Sequence, residues 1–83
     1  MLPEMKNILN SHPLSHAQTN EEGTIVFLDG GDIFKRKLIN LGLIPGVKIK
    51  VASATRRGPF IIQVNDTRLI IGRGMVEKIY IEG

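Results

Sequence analysis

The sequence predicts a mainly β domain, a small five-stranded barrel with an internal helix after the first strand and a short N-terminal helix. Three observations carry that expectation. Several runs of about four to eight residues are rich in β-branched and apolar residues and alternate in polarity, with Gly, Pro, Asn and Asp between them. The chain has 83 residues, room for one domain. No apolar run approaches the roughly 18–20 residues that would span a bilayer; residues 25–28 are the longest. A domain this small buries a modest share of its surface. Without cysteine it has neither a disulfide nor a thiolate to ligate zinc or act as a nucleophile, so a compact apolar core must hold it together.

Residues 2–10 read as a short helix, because Met5, Ile8 and Leu9 fall at i, i+3 and i+4. Pro3 suits its first turn, and Glu4 sits where the helix dipole favours an anion. The charged Glu4 interrupts the apolar residues, so the N-terminus does not read as a signal peptide and a soluble intracellular protein is expected. Residues 11–20 are polar, broken by Pro13, and read as a loop with Leu14 as an anchor. Residues 24–29 read as a strand with apolar side chains on both faces, Ile25 and Phe27 against Val26 and Leu28.

Gly30-Gly31 breaks that strand. A helix is expected from an Asp32 N-cap to about Leu41, burying a stripe of Phe34, Leu38 and Leu41 extended by Ile33. Gly42 suits the left-handed residue that ends many helices, with Leu43 making the accompanying apolar contact. Pro45-Gly46 then reads as a type II turn. Residues 47–54 alternate, with Val47, Ile49 and Val51 inward and Lys48 and Lys50 outward. Residues 55–59 are a loop. Phe60, Ile62 and Val64 mark one face of the next strand, Asn65-Asp66-Thr67 a tight hairpin connection, and Leu69 and Ile71 the inward face of the returning strand. Residues 72–77 read as a 3₁₀ turn, and residues 78–81 close the chain as a strand with Ile79 and Ile81 inward.

A five-stranded SH3-like barrel accommodates this order, and barrel closure is expected to remove exposed strand edges. The outward residues Ile61, Ile70 and Tyr80 are expected to form an apolar patch, covered by Met5, Ile8 and Leu9 of the N-terminal helix, by a partner, or by a second copy of the chain. The domain organisation is then residues 1–13 as an N-terminal helical extension and residues 14–83 as the barrel.

The net charge of +3 conceals an asymmetry. Residues 33–78 hold ten basic side chains and two acids, a net of +8; the remainder holds Lys6 and six acids, a net of −5. Such an asymmetry suits a polyanion or an acidic protein partner, although no block of five or six like charges occurs. Little catalytic chemistry is visible. His12 and His16 are four apart, as two metal ligands on a helix would be, and Glu21 and Glu22 add oxygens, but Pro13 breaks the helix and two solvated loop histidines are expected. Gly30-Gly31 and Gly72-Arg73-Gly74 lack the phosphate-loop pattern, and no carboxylates are spaced as a paired acid and base. No catalytic, cofactor or metal residue is assigned; a weak association with a divalent ion is left open. A small basic barrel can bind nucleic acid, but Phe27, Phe34 and Phe60 all read as core, which leaves only Tyr80 for stacking.

The middle of the chain resembles the FeoA family (ferrous iron transport protein A). The residues that carry the resemblance are Gly30-Gly31-Asp32, Lys35-Arg36-Lys37-Leu38, the run Leu41-Gly42-Leu43-Ile44-Pro45-Gly46, and Val47-Lys48-Ile49-Lys50-Val51. Gly58-Pro59, Arg68-Leu69 and Gly72-Arg73-Gly74-Met75 ahead of Lys78-Ile79 continue it, over about residues 14–81. Many members carry a Leu-Arg-Arg-Glu type segment where this chain has Gly72-Arg73-Gly74-Met75, and the first 13 residues are atypical. The resemblance implies a cytoplasmic SH3-like barrel, of the type also found at the C-terminus of repressors related to the diphtheria toxin repressor. It implies no catalysis of its own. The implied role is accessory or regulatory in ferrous iron uptake, by contact with a FeoB-type membrane transporter or its cytoplasmic GTP-binding domain, and the implied divalent ion is ferrous iron. The alternative is a nucleic-acid-binding barrel. From predicted exposure, the contact residues are Lys35, Arg36, Arg56, Arg57 and Arg73, with Ile61 and Tyr80 as apolar contacts.

Overall fold

The computed structural model describes residues 10–83. They form one antiparallel sheet, strongly curved into an SH3-like barrel. Its strands are β1 (His12–Pro13), β2 (Glu22–Leu28), β3 (Lys48–Ser53), β4 (Phe60–Val64), β5 (Thr67–Ile71) and β6 (Ile79–Glu82), in the spatial order β1-β6-β2-β3-β4-β5. Helix α1 (Asp32–Asn40) follows β2, a single turn α2 (Arg73–Val76) precedes β6, and Leu14–His16 form a 3₁₀ turn. The expected N-terminal helix and its covering residues Met5, Ile8 and Leu9 lie outside the described residues.

The alternation that predicts the strands also builds the core. Ile49 and Val51 of β3, Phe60, Ile62 and Val64 of β4, Ile71 of β5, and Ile79 and Ile81 of β6 are all buried in one cluster. Leu14, Leu38, Leu43 and Val76 close its ends. No buried polar side-chain atom lacks a partner among the described residues. None of their helices is long and apolar enough to cross a membrane.

Several expectations need correction. The described sheet has six strands rather than five, because the segment read as a plain loop pairs His12 with Ile81 and Pro13 with Tyr80 before Leu14 is buried completely. Two residues are too few to show a period of two, so this strand is invisible to pattern reading. Strand β2 begins at Glu22, two residues before the predicted start, because Glu22 pairs with Lys50. The residues before β6 form an α turn rather than a 3₁₀ turn, with the Val76 amide donating to the Gly72 carbonyl at 3.2 Å and Glu77 to Arg73 at 3.3 Å.

Helix α1 also departs from its prediction. Gly31, not Asp32, stands at the N-cap, since its carbonyl accepts the first helical bond from Lys35 at 3.0 Å and no side chain caps the end. Asp32 is the first helical residue, where its charge still suits the dipole. Of the predicted stripe only Leu38 is fully buried. Phe34 is half-buried with the Lys78 ammonium 5.5 Å from its ring, Leu41 is 40% exposed, and Ile33 is 86% exposed. The helix stops at Asn40, with Leu41 as its C-cap still in a helical conformation. The Gly42 amide then bonds to Ile39 at 3.0 Å and the Leu43 amide to Leu38 at 2.9 Å, the paired bonds of a Schellman motif, which carry Leu43 into the core in place of Leu41.

The strand ends of the barrel are β1 and β5, and among the described residues no ladder joins them. Closure here is by packed side chains, not by hydrogen bonds, so the expectation that the barrel removes its edges fails at β5.

Candidate interaction surfaces

An open groove of about 1160 Å³ lies between β2, α1 and the Pro45–Gly46 turn. Its origin lies in the register. Strand β2 pairs with β3 only from Glu22 to Thr24; the pairing continues into the turn through bonds between Ile25 and Val47 at 2.9 Å and between Gly46 and Ile25 at 2.6 Å. Beyond the turn β3 does not extend, because it begins at Lys48. On that side Val26 to Leu28 face helix α1 across a gap instead of a neighbouring strand, and a β-bulge between Ile25 and Phe27 bends β2. Apolar Val26, Phe27 and Ile39 line the gap, with Lys35 and Lys48 as its cations and Glu22 and Glu82 as its acids.

The seven residues predicted as contacts fall in four places. Lys35 lines this groove and Arg36 is exposed beside it on α1. Arg56, Arg57 and Arg73 come together at the other end of β3. The loop between β3 and β4 is stapled by Thr55, whose Oγ1 accepts the Gly58 amide at 2.9 Å and donates to the Pro59 carbonyl at 3.4 Å. Arg73 Nη1 donates to the Thr55 carbonyl at 2.7 Å, and its guanidinium lies 6.0 Å from the centre of the Phe60 ring. That contact leaves Arg73 half-buried, while Arg56 and Arg57 are exposed at the loop tip.

Ile61 is paired with Ile70 across β4 and β5. Tyr80 is not with them. It sits on β6 between Pro13 of β1 and Phe27 of β2, with its ring 5.9 Å from that of Phe27. The expected patch of Ile61, Ile70 and Tyr80 is therefore divided, because three strands intervene between β6 and β5 in the sheet order. Phe27, read as core, is half-buried against Tyr80.

Helix α1 and its C-terminal corner expose more apolar surface than the predicted stripe allows. Ile33, Ile39 and Ile44 are exposed, as is Leu41. The sequence holds a signal for this. At 3.6 residues per turn, Ile33 lies about 100° and Ile39 about 140° around the helix from Phe34, so one nine-residue helix cannot bury them all on one side.

His12 and His16 do not come together as ligands. His12 Nε2 is 2.7 Å from Glu21 Oε2, His16 is exposed in the 3₁₀ turn, and Glu22 faces the groove. Partial burial acts to raise the Glu21 pKa, but the amide N–H of Gln18 at 3.1 Å and the bond and charge of His12 outweigh it, so the carboxyl titrates below its ordinary value. Among the described residues no group of three or more His, Asp or Glu side chains could hold a metal ion.

Comparison with known proteins covers nearly all of this architecture. The FeoA domain family matches residues 12–83. A Methanocaldococcus jannaschii protein named as an Fe(2+) transport protein A is 34% identical over 71 residues, covering 86% of this chain and 85% of that protein. A crystal structure of an iron uptake regulatory protein (FeoA) superposes with a TM-score of 0.83 at 33% identity, over 87% of this chain and 96% of that one. A solution structure of the FeoA protein from Chlorobium tepidum gives 0.75 at 25% identity, over 84% and 68%. A manganese-dependent transcriptional repressor shares the fold, with a TM-score of 0.81 at 12% identity over 88% of this chain and 41% of the repressor. From residue 12 to its last residue, this chain belongs to the FeoA domain family.

Proposed function

We propose that this chain is a non-enzymatic accessory protein of ferrous iron uptake, and that it acts in the cytoplasm by binding the GTP-binding domain of a FeoB-type membrane transporter. The relatives support the iron reading: one is named for Fe(2+) transport and another for regulation of iron uptake. The observation that carries the contact is the α1 side of the barrel. Exposed Ile39 stands beside Lys35 in a groove with an apolar lining, and Ile33 and Arg36 are exposed on the same helix. Exposed large aliphatics grouped on one face mark an interaction surface, and the flanking cations suit an acidic partner. The acting unit is the barrel from β1 onward, residues 12–83, the part that the FeoA domain family matches.

The test is calorimetric titration of the transporter's soluble GTP-binding domain with this chain and with an Ile39→Glu, Lys35→Glu variant. Binding that falls at least tenfold in the variant supports the reading. No binding of the unaltered chain overturns it. A parallel filter-binding assay with RNA and DNA at two salt concentrations addresses the alternative of a nucleic-acid-binding barrel. Steeply salt-dependent retention without transporter binding would put that alternative first.

A further inference from the structure

We propose that the free edge of β5 accepts an extended peptide segment as a seventh strand, one that places an aliphatic residue opposite Ile70 and an acidic residue opposite Arg68. The geometry begins at the hairpin. Asn65 and Asp66 form a two-residue turn between Val64 and Thr67, with Asn65 at φ +55°. A two-residue turn makes its flanking pair, Val64 and Thr67, a hydrogen-bonded pair. Antiparallel ladders alternate, so Gln63–Arg68 and Ile61–Ile70 are non-hydrogen-bonded pairs. The amide and carbonyl of Arg68 and of Ile70 therefore point away from β4, out of the sheet. Strand β5 is last in the sheet order, and among the described residues no backbone bond from Thr67–Ile71 reaches any element but β4. Two donors and two acceptors stand at the spacing that one added strand satisfies.

The side chains specify what that strand carries. Register places Glu22, Lys50, Gln63 and Arg68 in one row across β2, β3, β4 and β5. The row ends at the open edge on a cation, with a neutral neighbour inside it. The next row ends on Ile61 and Ile70, and Ile70 is 74% exposed, a large aliphatic on the strand that is last in the sheet order among the described residues. An edge cation ordinarily discourages pairing with a like-charged strand. A second copy of this chain brings the same Arg68 and the same +8 span and is disfavoured. An acidic residue converts that repulsion into a cross-strand pair, and an aliphatic two residues away covers Ile70. In the antiparallel sense the segment reads aliphatic–x–acid. This surface is separate from the α1 groove, and the proposal does not depend on the transporter reading.

The test is an NMR titration of the full chain with a blocked pentapeptide of threonines carrying valine second and glutamate fourth, against the same peptide with lysine fourth. The glutamate peptide is expected to perturb Arg68 and Ile70 and to slow exchange of their amides. The lysine peptide is expected to bind about threefold to tenfold more weakly, the range set by one cross-strand charge pair. An Arg68→Glu variant should reverse that preference; Arg68 is exposed, and an unchanged melting curve verifies the fold. Equal binding of both peptides overturns the proposal, as do perturbations confined to the α1 groove. Slow exchange of the Arg68 and Ile70 amides in the peptide-free chain also overturns it, because the edge would then already be covered by this chain's own residues or by a second copy.

Discussion

The two connections that flank β3 reach rigidity by different means. The corner from α1 to β3 is held by backbone and core. Gly42 and Gly46 take φ of +90° and +99°, the Val47 amide closes the Pro45-Gly46 turn on Ile44 at 3.0 Å, and Leu43 is completely buried. The loop from β3 to β4 is held by side chains at the surface, through Thr55 Oγ1 and the Arg73 guanidinium. The first connection decides whether the barrel forms; the second decides where Arg56, Arg57 and Arg73 point. Mutations should separate the two, destabilising at the corner and repositioning charge at the loop.

The sharpest break is Leu43→Ala. It removes a fully buried side chain from the Schellman contact with Leu38 and should cost about 2–5 kcal/mol in chemical denaturation. That is a large part of the roughly 5–15 kcal/mol that holds a domain folded. Gly46→Ala comes next. No atom lies within 4 Å of the position a Cβ would take, so the cost is purely conformational, about 1–2 kcal/mol for the left-handed region. Gly42→Ala, with the same openness and a similar φ, should cost the same. A much larger loss at either would mean that the space is not open.

The corner was legible in the sequence because its determinants are local. A glycine after a helix and a Pro-Gly pair each prescribe a backbone conformation whatever surrounds them. The strands were legible wherever alternation ran for five residues or more. The loop's staple was not, since Arg73 reaches Thr55 across 18 positions and nothing in the TRRGP run announces that partner. The groove was hidden for a related reason. It depends on where β3 leaves β2, a register that one-strand patterns do not encode. Ile61 and Tyr80 were read as neighbours because outward faces were assigned strand by strand; the sheet order, which separates β6 from β5, is a property of the whole chain.

At the loop, Thr55→Val removes the hydroxyl that accepts from Gly58 and donates to Pro59. The expected cost is about 0.5–1.5 kcal/mol, because both groups are exposed enough to turn to water. The more informative readout is local: amide exchange at Gly58 should accelerate while that of Ile62 stays unchanged. Acceleration at both would mean that the loop is coupled to the core after all.

The turn ahead of β2 combines both means and gives the smallest effect. Asn20 takes φ +75° and its amide bonds to Val51 at 2.7 Å, while the Glu21 carboxylate accepts from the Gln18 amide and meets His12. Glu21 has a folded pKa below its ordinary value near 4.5, so its ionised form is the one the fold favours. Its contribution is therefore complete above about pH 4.5 and is lost as the pH falls through the lowered folded value. Glu21→Gln removes the charge and keeps the shape. The variant should be less stable than the unaltered chain by a few tenths to about 1 kcal/mol at pH 6, a modest figure for a pair that water reaches. The difference should shrink as the pH falls through the lowered folded value, below which both chains carry a neutral group at this position. A difference that persists undiminished at low pH would place the effect in the shape of the turn rather than in the carboxylate. The Asn20 backbone would then be what holds this turn, as at the corner, and the side chain would be secondary.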